Sequence, residues 1–333
     1  MHFIVLGAGA IGCYVGGRLA AGGRQVTLVG RHRTIDDISR QGLQVSDLDG
    51  YQAHLVPAAM RLCTSLAEVP LTPDCVVLLC VKGGATESAA LELSACCPPG
   101  TLVVSLQNGV DNVARLSAIA PRMKAIPGMV ACNVVQPNPW HAHRATSGRF
   151  YLARHPVTRE MALLMDACGL STELVEDMRP VQWGKLLLNL NNPVNALSDL
   201  PLRAQLLDRD YRCVLADLQE EALAVMRHAG IRPAQIAPVP PHLMPRLLRL
   251  PNWLFRLIAS RMLRIDAQAR SSMWDDLQLG RITEINDLCG AIVRLATQHG
   301  ALAPRNAAMC KLIAAHHKGA RLSGAEMRSA ATQ

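Results

Sequence analysis

Short aliphatic runs without alternating polar residues recur through the first half of the chain. Strands that are covered by helices on both faces carry such continuous runs, whereas a strand with one wet face alternates. Helix-like segments such as Ile11 to Ala21 lie between the runs. The pattern predicts an α/β arrangement with a doubly wound parallel sheet in residues 1–176. The predicted strands are Phe3 to Leu6, Val26 to Val29, Val76 to Val81 and Leu102 to Leu106.

The second half changes character after Asp177, where apolar residues recur with a period of 3.6. This periodicity predicts an all-α C-terminal domain over residues 177–333. A proline-rich connection from Pro233 to Pro245 cannot be helical throughout, because proline lacks the N–H that a helix interior requires. The predicted helices are Trp183 to Asn191, Leu206 to Ala229, Leu243 to Leu263 and Met273 to Gly300.

Composition narrows the functional class. At 333 residues the chain exceeds one ordinary core, which agrees with two domains. The net charge is +8, but the arginines are dispersed and aromatic residues are 3%, so no nucleic-acid partner is expected. The sequence lacks an apolar run of about 20 residues and a cleavable leader, which predicts a cytoplasmic protein with no membrane partner. Its 11 cysteines lack paired spacing, so we expect reduced thiols and no metal.

A glycine-rich string, GAGAIG, follows the first predicted strand and opens the first predicted helix. Gly7 would allow a sharp turn, Gly9 the close approach of a pyrophosphate, and Gly12 tight packing of helix on sheet. The helix start at Ala10 and Ile11 would offer N–H groups to the phosphates. Small residues also occur wherever a helix packs closely on a strand. The context favours dinucleotide binding on a Rossmann-like domain.

The choice of dinucleotide depends on the end of the second strand, where an NAD enzyme usually carries an acid that binds the ribose 2′-OH. This sequence continues from Val29 with Gly30, Arg31, His32 and Arg33. A guanidinium can bind a 2′-phosphate with two hydrogen bonds. A solvated basic turn is the alternative. We predict NADP(H), with Arg31 as the main contact and Arg33 as a secondary one.

Polar residues follow two further predicted strands. Lys82 comes directly after the third strand, and Gln107, Asn108 and Gly109 come after the fourth. Carboxyl ends of parallel strands line the ligand crevice of such a sheet. Each segment alone is compatible with an ordinary turn, since Asn-Gly is a favoured turn pair. Their shared position makes them candidates for the nicotinamide end of the cofactor.

The segment GKLLLNLNNP places an amine and two amides on one predicted helix face. Lys185 and Asn189 are four residues apart, and Asn192 returns to about the same side. Such a polar group among leucines is costly unless a polar ligand lies against it. A surface stripe is the alternative. Pro193 predicts the end of this helix or a kink in it.

The segment RSSMWDD followed by TEI forms the second polar group. Ser272 with Asp275 three residues later resembles a capping box at the start of a long helix, and Glu284 would lie well inside that helix. On one straight helix Ser272 and Glu284 would be about 18 Å apart, too far to touch one small acid. Either the chain bends before the helix, or it breaks near Gly280, or one of the two lies outside the site. Glu284 as a solvated helix residue also stays open.

Taken in order, GAGAIG, Arg31, VKGG, QNG, GKLLLN with NNP, and SSMWDD with TEI resemble the ketopantoate reductase family over nearly the whole chain. The resemblance implies NADPH-dependent reduction of 2-dehydropantoate to pantoate, a step toward pantothenate and coenzyme A. It implies that Lys185 is the general acid, assisted by Glu284. It also implies that Lys82 and Asn108 lie at the cofactor. The substrate contacts that it implies are Asn108, Asn189, Asn192 and Ser272.

The region from about Leu202 to Arg270 is longer than the family pattern, apolar and basic. Packing within the chain is favoured; a membrane-surface helix, a lid or a homodimer contact are the alternatives. The longer region puts the identity of the keto acid in doubt. Two other functions therefore stay open: a reductase of a different 2-oxo acid, and a non-catalytic NADP(H)-binding sensor.

Overall fold

The computed structural model describes residues 1–260, 263, 268–317 and 319–330. The chain divides into two compact units, Met1–Met178 (the N-terminal unit) and Arg179–Gln333 (the C-terminal unit). Within the described residues, no helix has the length and apolar character needed to cross a bilayer. None of the 11 cysteines, all of which lie among the described residues, forms a disulfide.

The N-terminal unit contains twelve strands and five α-helices. The strands are β1 (His2–Leu6), β2 (Val26–Val29), β3 (Leu43–Asp47), β4 (Gln52–Leu55), β5 (Arg61–Cys63), β6 (Cys75–Leu79), β7 (Leu102–Ser105), β8 (Lys124–Val130), β9 (Val134–Asn138), β10 (His141–Arg144), β11 (Phe150–Ala153) and β12 (Thr172–Val175). The helices are α1 (Ala10–Ala21), α2 (His32–Gln41), α3 (Thr86–Cys96), α4 (Asn112–Ile119) and α5 (Pro156–Ala167).

Eight strands form the main sheet, in the order β12-β11-β8-β7-β6-β1-β2-β5. Every pairing is parallel except that of β11 with β8. Phe3 and Val5 of β1 join one apolar core with α1, while Ile4 and Leu6 join a second core on the opposite face with α3 and α4. Both faces are therefore covered, which explains the continuous apolar runs. The predicted doubly wound parallel sheet is confirmed.

Two of the predicted strands are shorter than expected. The strand predicted to reach Val81 ends at Leu79, and the one predicted to reach Leu106 ends at Ser105. In each case the next residue still donates its N–H to the neighbouring strand, Cys80 to the Leu6 carbonyl at 2.8 Å and Leu106 to the Leu79 carbonyl at 2.9 Å, and the turn begins after it. These turns carry Lys82 and Asn108.

A second sheet of four strands, in the order β4-β3-β10-β9, was missed by the pattern analysis. It packs on α1, where a Cβ on Gly17 would lie 2.4 Å from Val45 Cγ1. Asp47 of β3 is buried between the guanidinium groups of Arg18 and Arg144, each at 3.1 Å. Burial opposes the charged form of Asp47, but hydrogen bonds from the Tyr51 N–H and from Arg144 outweigh it and lower its pKa.

The C-terminal unit is helical, as predicted. Its helices are α6 (Met178–Asn189), α7 (Asn191–Ser198), α8 (Leu202–Leu207), α9 (Arg209–His228), α10 (Met244–Leu248), α11 (Asn252–Ile258), α12 (Ser272–Gln278), α13 (Cys289–Gln298), α14 (Pro304–Ala314) and α15 (Gly324–Ala330). A 3-10 turn, Ile285–Asp287, precedes α13.

The long helices predicted for this unit are each interrupted. The side chain of Asp208 caps α9, which separates it from α8 within the predicted helix Leu206 to Ala229. Pro251 separates α10 from α11 within the predicted helix Leu243 to Leu263. Residues 261, 262 and 264–267 of that prediction lie outside the described residues.

In the region from Leu202 to Arg270, the helices α8 and α10 pack on α9. Arg212 of α9 is fully buried and donates hydrogen bonds to three carbonyl oxygens of this region while its guanidinium stacks on Phe255 at 4.1 Å. The acceptors are the carbonyls of Leu206, Leu248 and Leu250, at 2.7 to 2.9 Å. On the outer side of α11, Trp253 and Leu257 remain exposed.

Candidate active site

The glycine-rich turn joins β1 to α1 and depends on the absence of side chains. Gly7 has a φ of +116°, and a Cβ there would lie 2.7 Å from the backbone nitrogen of Val81. A Cβ on Gly12 would lie 1.9 Å from the carbonyl oxygen of Gly7. Helix α1 and the end of β6 can therefore approach the turn only because both positions are glycine.

Gly9 differs from its two neighbours in the motif. A Cβ on Gly9 would meet nothing within 4 Å, and its φ of −88° is open to any residue. Gly9 is the N-cap of α1, with no side-chain cap and no acidic residue in the first turn. The start of α1 at Ala10 and Ile11 thus keeps the N–H groups and partial positive charge that favour an anion.

The thiols next to this turn are chemically inert. Burial raises the pKa of the Cys13 thiol to about 12, against a weaker opposing hydrogen bond from Gln136. Burial also raises the pKa of Cys80, at the end of β6. A raised pKa disfavours the thiolate, which is the reactive form, at both positions.

The basic turn after β2 lies directly against the glycine-rich turn. A Cβ on Gly30 would be 2.4 Å from the Cβ of Ala8, so the residue that precedes Arg31 must be small. Arg31 is the N-cap of α2 but provides no side-chain cap. Arg31 and Arg33 are both exposed, which is compatible with a phosphate contact from solvent.

The turns that carry Lys82 and Asn108 are joined by a buried hydrogen-bond chain. Gln107 Nε2 donates to the Val81 carbonyl at 3.0 Å and to Thr86 Oγ1 at 2.8 Å. Thr86 donates to Asn112 Oδ1 at 3.1 Å, and Asn112 Nδ2 donates to the Asn108 carbonyl at 2.6 Å. This chain fixes the two turns relative to each other. Lys82 is exposed and Asn108 is half-buried.

The glycine-rich turn, the basic turn and the turns that carry Lys82 and Asn108 all lie at one end of the main sheet. They follow β2, β1, β6 and β7, which are adjacent in the sheet. The carboxyl ends of adjacent parallel strands form the ligand edge of a doubly wound sheet. The cofactor-site residues predicted from the sequence are therefore brought together within the N-terminal unit.

Helix α6 of the C-terminal unit carries Lys185 and Asn189 on one face. Its other side is packed: a Cβ on Gly184 would lie 2.4 Å from the Ala234 carbonyl oxygen. Gln219 of α9 donates to the Leu187 carbonyl at 3.0 Å. Lys185 and Asn189 are half-buried, so neither lies on a fully solvated surface stripe.

Asn192 lies on a different helix from Lys185. Helix α6 ends at Asn189, and Asn192 lies in the first turn of α7. Pro193 also lies in that first turn, where a missing N–H costs nothing. The predicted helix through Asn191 is thus two residues too long, while the break at Leu190 agrees with the end or kink predicted from Pro193.

The capping serine of α12 is Ser271 rather than the predicted Ser272. Ser271 Oγ accepts the N–H of Trp274 at 3.3 Å and donates to the Asn192 carbonyl at 3.2 Å. Its own N–H donates to Asn195 Oδ1 at 2.9 Å. Ser272 is the first residue of the helix and is exposed. Ser271 thus ties the segment that carries Ser272 to α7, which carries Asn192.

Glu284 is not inside a long helix, contrary to the expectation. Helix α12 ends before Gly280, whose φ is +61°, and Glu284 is the N-cap of the 3-10 turn before α13. Glu284 is half-buried. The break near Gly280 removes the straight-helix separation that set Ser272 and Glu284 about 18 Å apart.

Several positioning residues of the site were not recognised in the sequence. Asn195 is fully buried and holds Ser271, and Asn112 holds the Asn108 turn. Asn195 lies three residues after Asn192, and this helical spacing is the sequence signal that would place the two amides near each other. Asn112 had no local signal, since its partners come from other segments.

Two family models match most of the chain. Residues 3–156 match the model for ketopantoate reductase PanE/ApbA, and residues 177–317 match the model for its C-terminal domain. The chain belongs to the ketopantoate reductase family. This confirms the resemblance drawn from the sequence motifs and makes the chain a dinucleotide-dependent oxidoreductase that acts on a 2-keto acid.

Relatives and solved structures agree with membership of the ketopantoate reductase family. A 2-dehydropantoate 2-reductase of Pyrococcus horikoshii is 27% identical, with 95% of this chain and 97% of the relative covered. A PanE/ApbA family ketopantoate reductase from Ralstonia eutropha has a TM-score of 0.79 at 28% identity, covering 94% and 97%. D-mandelate dehydrogenase, solved with NADH and anilino(oxo)acetate, shares the fold with a TM-score of 0.77 at 19% identity over 99% of both chains.

Proposed function

We propose that this chain reduces 2-dehydropantoate to pantoate with NADPH, a step toward pantothenate and coenzyme A. The main support is that the 2-dehydropantoate 2-reductase of Pyrococcus horikoshii aligns over 95% of this chain, so the similarity spans both units. In this proposal residues 1–176 bind the cofactor. Residues 177–333 supply the proton donor and most of the substrate contacts.

The residues of the N-terminal unit fit a dinucleotide. Gly9 leaves open space next to an uncapped helix start, where a pyrophosphate can accept backbone N–H groups. Arg31 and Arg33 would bind the 2′-phosphate, and the absence of an acid at this position removes the usual partner of an NAD ribose. Lys82 and Asn108 would lie along the cofactor toward its nicotinamide. NADPH supplies the hydride when it is bound.

Lys185 is the proposed general acid. Hydride addition to the ketone carbon moves an electron pair to the carbonyl oxygen, and the resulting alkoxide takes a proton from Lys185 Nζ. The ammonium also stabilises the developing negative charge before the proton is transferred. Glu284 would orient the ammonium. The chain therefore supplies alignment, a positive charge and one proton.

Amide and hydroxyl groups are proposed to orient the substrate. Asn108, Asn189, Asn192 and Ser272 would donate hydrogen bonds to its carboxylate and exchange them with its hydroxyl. Support comes from the tie between Ser271 and α7, which holds the Ser272 segment next to the helix of Asn192. Asn189 shares a face of α6 with the proposed proton donor.

The test follows NADPH absorbance with a panel of 2-oxo acids that includes 2-dehydropantoate. We expect turnover with NADPH, fastest with 2-dehydropantoate, and little with NADH. Faster turnover of another 2-oxo acid would replace the proposed substrate. Flat absorbance with every acid, combined with tight NADPH binding, would favour the sensor and contradict the enzyme.

A further inference from the structure

Asp199 adopts a backbone conformation that side chains rarely take. It is the C-cap of α7, with φ +52° and ψ 26°, and it is the one non-glycine residue with positive φ in the described part of the chain. Left-handed conformations are strained for most L-residues, although aspartate and asparagine tolerate them best. Glycine would be easier here, so the aspartate side chain is the feature to explain.

The carboxylate of Asp199 joins two residues that flank the start of α12. Its Oδ1 accepts the indole N–H of Trp274 at 2.7 Å and a guanidinium N–H of Arg270 at 3.1 Å. The Arg270 guanidinium also stacks over the Trp274 ring at 4.2 Å. Carboxylate, indole and guanidinium therefore form a closed group of three, which we name the Asp199 clamp.

The clamp acts on the same short segment as Ser271. Arg270 and Trp274 are hydrogen-bonded to Asp199, the C-cap of α7. Ser271 is hydrogen-bonded to Asn192 and Asn195 within α7. Ser272 lies between these attachment points and is exposed. The segment is thus held at both ends while its proposed substrate-binding hydroxyl stays accessible.

The clamp contributes more to position than to stability. The Asp199 side chain is 41% exposed and that of Arg270 is 24% exposed, and ion pairs at such sites add little to stability. The left-handed backbone at Asp199 offsets part of that contribution. A displacement of about 1 Å in a substrate-orienting group, in contrast, can reduce turnover by up to about 10²-fold. Loss of the clamp should therefore appear in substrate kinetics before it appears in thermal stability.

We propose that Asp199 is a positioning residue for the 2-oxo acid. Through Trp274 and Arg270 it sets the location of Ser272 relative to Asn192, and so the fit of the substrate carboxylate. This inference rests on the proposed function, because it takes Ser272 and Asn192 as substrate contacts. Neither Asp199 nor Trp274 touches the reacting atoms in this assignment.

Three substitutions at Asp199 separate the clamp from the backbone strain. Asp199→Gly removes the strain and the carboxylate together, Asp199→Ala removes the carboxylate and keeps the strain, and Asp199→Asn keeps an oxygen acceptor and a tolerated left-handed backbone. We expect Asp199→Gly to raise the KM for 2-dehydropantoate about tenfold, with unchanged KM for NADPH and a melting temperature equal to or above that of the wild type. Asp199→Asn should restore KM to within about threefold of the wild type. A tenfold rise in KM corresponds to about 1.4 kcal/mol, which is roughly the contribution of one hydrogen bond between the protein and the substrate.

Two further variants complete the test. Trp274→Phe keeps the ring and removes the N–H donor, so it should raise the KM for the 2-oxo acid in the same direction as Asp199→Gly. Glu173→Ala breaks the exposed pair with Arg149 in the N-terminal unit and serves as the matched control. It should leave both KM values unchanged.

The outcomes distinguish the clamp from the proposed function. An active wild type with an unchanged 2-oxo acid KM in Asp199→Gly overturns the clamp alone. An Asp199→Asn variant as defective as Asp199→Gly, or a parallel rise in the KM for NADPH, also overturns it. A wild type that reduces no 2-oxo acid overturns the proposed function and the clamp with it.

Discussion

The two units hold their candidate residues in different ways. In the N-terminal unit the turn is built by backbone contacts that exclude a side chain, as at Gly12, where a Cβ would lie 1.9 Å from the Gly7 oxygen. In the C-terminal unit the segment of Ser272 is held by side chains, through Asn195 and Asp199, across more than seventy residues of sequence. The glycine-rich turn is recognisable as a local sequence motif, whereas the side-chain contacts that hold the Ser272 segment are not.

This difference has consequences for function. Backbone N–H groups in a fixed turn can bind the phosphates that all dinucleotides share. Side-chain ties are replaceable one residue at a time, so the substrate end can change while the cofactor end stays the same.

The largest expected effect lies in the C-terminal unit. Lys185→Ala should lower kcat about 10²- to 10⁴-fold, because a general acid contributes about that much. NADPH affinity, measured by fluorescence titration, should stay within about twofold, since the proposed cofactor residues are in the other unit. Lys311→Ala on α14 is the matched lysine control and should be fully active. Equal losses in both variants would show a general effect of charge rather than proton donation.

The second-largest effect is expected on the preference for NADPH over NADH. Arg31→Ala should raise the KM for NADPH about 10- to 100-fold, since a hydrogen bond to a charged group contributes about 1.5–3 kcal/mol. The KM for NADH should change little, because NADH lacks the 2′-phosphate. Arg40→Ala, at the other end of α2, is the control. A similar rise for NADPH and NADH in Arg31→Ala would contradict a 2′-phosphate contact.

Two glycine variants test whether the turn serves packing or ligand binding. Gly12→Ala should destabilise the protein by about 1–3 kcal/mol through overpacking, seen as a lower melting temperature. Gly9→Ala should keep the melting temperature of the cofactor-free protein, because its Cβ meets nothing and its φ is allowed. It should nevertheless weaken NADPH binding about tenfold if a pyrophosphate approaches there. Unchanged NADPH binding in Gly9→Ala would leave the motif with a packing role only.

The smallest effect is expected from removing the hydrogen bond between Asn195 and the Ser271 N–H. Asn195→Ala leaves the Ser271 N–H without its acceptor and should cost about 1–3 kcal/mol of stability. We expect a KM for the 2-oxo acid that rises several-fold, roughly in proportion to one lost hydrogen bond. NADPH binding should not change, which calorimetric titration can check. Loss of NADPH binding in Asn195→Ala would contradict the assignment of Asn195 to the substrate side alone.

Part of the fold was predictable because its causes are local. The adjacent strands β7, β6, β1 and β2 are visible in the sequence as apolar runs, and the turn after β1 is visible as glycines, since each position obeys a constraint from its immediate neighbours. The outer strands β5, β8, β11 and β12 of the same sheet were not predicted. The small sheet was not predictable in this way. Its strands β3 and β10 place polar residues such as Ser46 and His143 on one face, so they lack the continuous apolar run by which β1, β2, β6 and β7 were predicted. The start of α12 was also not predictable, because its capping residue Ser271 is held by Asn192 and Asn195, which lie more than seventy residues earlier in the chain.

The sequence by itself determined the class of the protein: the doubly wound sheet, the helical second unit, the glycine-rich turn and the order of the polar motifs. Those features follow from periodicity and from the steric needs of single residues. Only the tertiary structure decided that α6 and α7 are separate helices, that Ser271 rather than Ser272 caps α12, and that Asp199 binds Trp274. These contacts join residues far apart in the chain, and their free energies depend on a partner that no local pattern identifies.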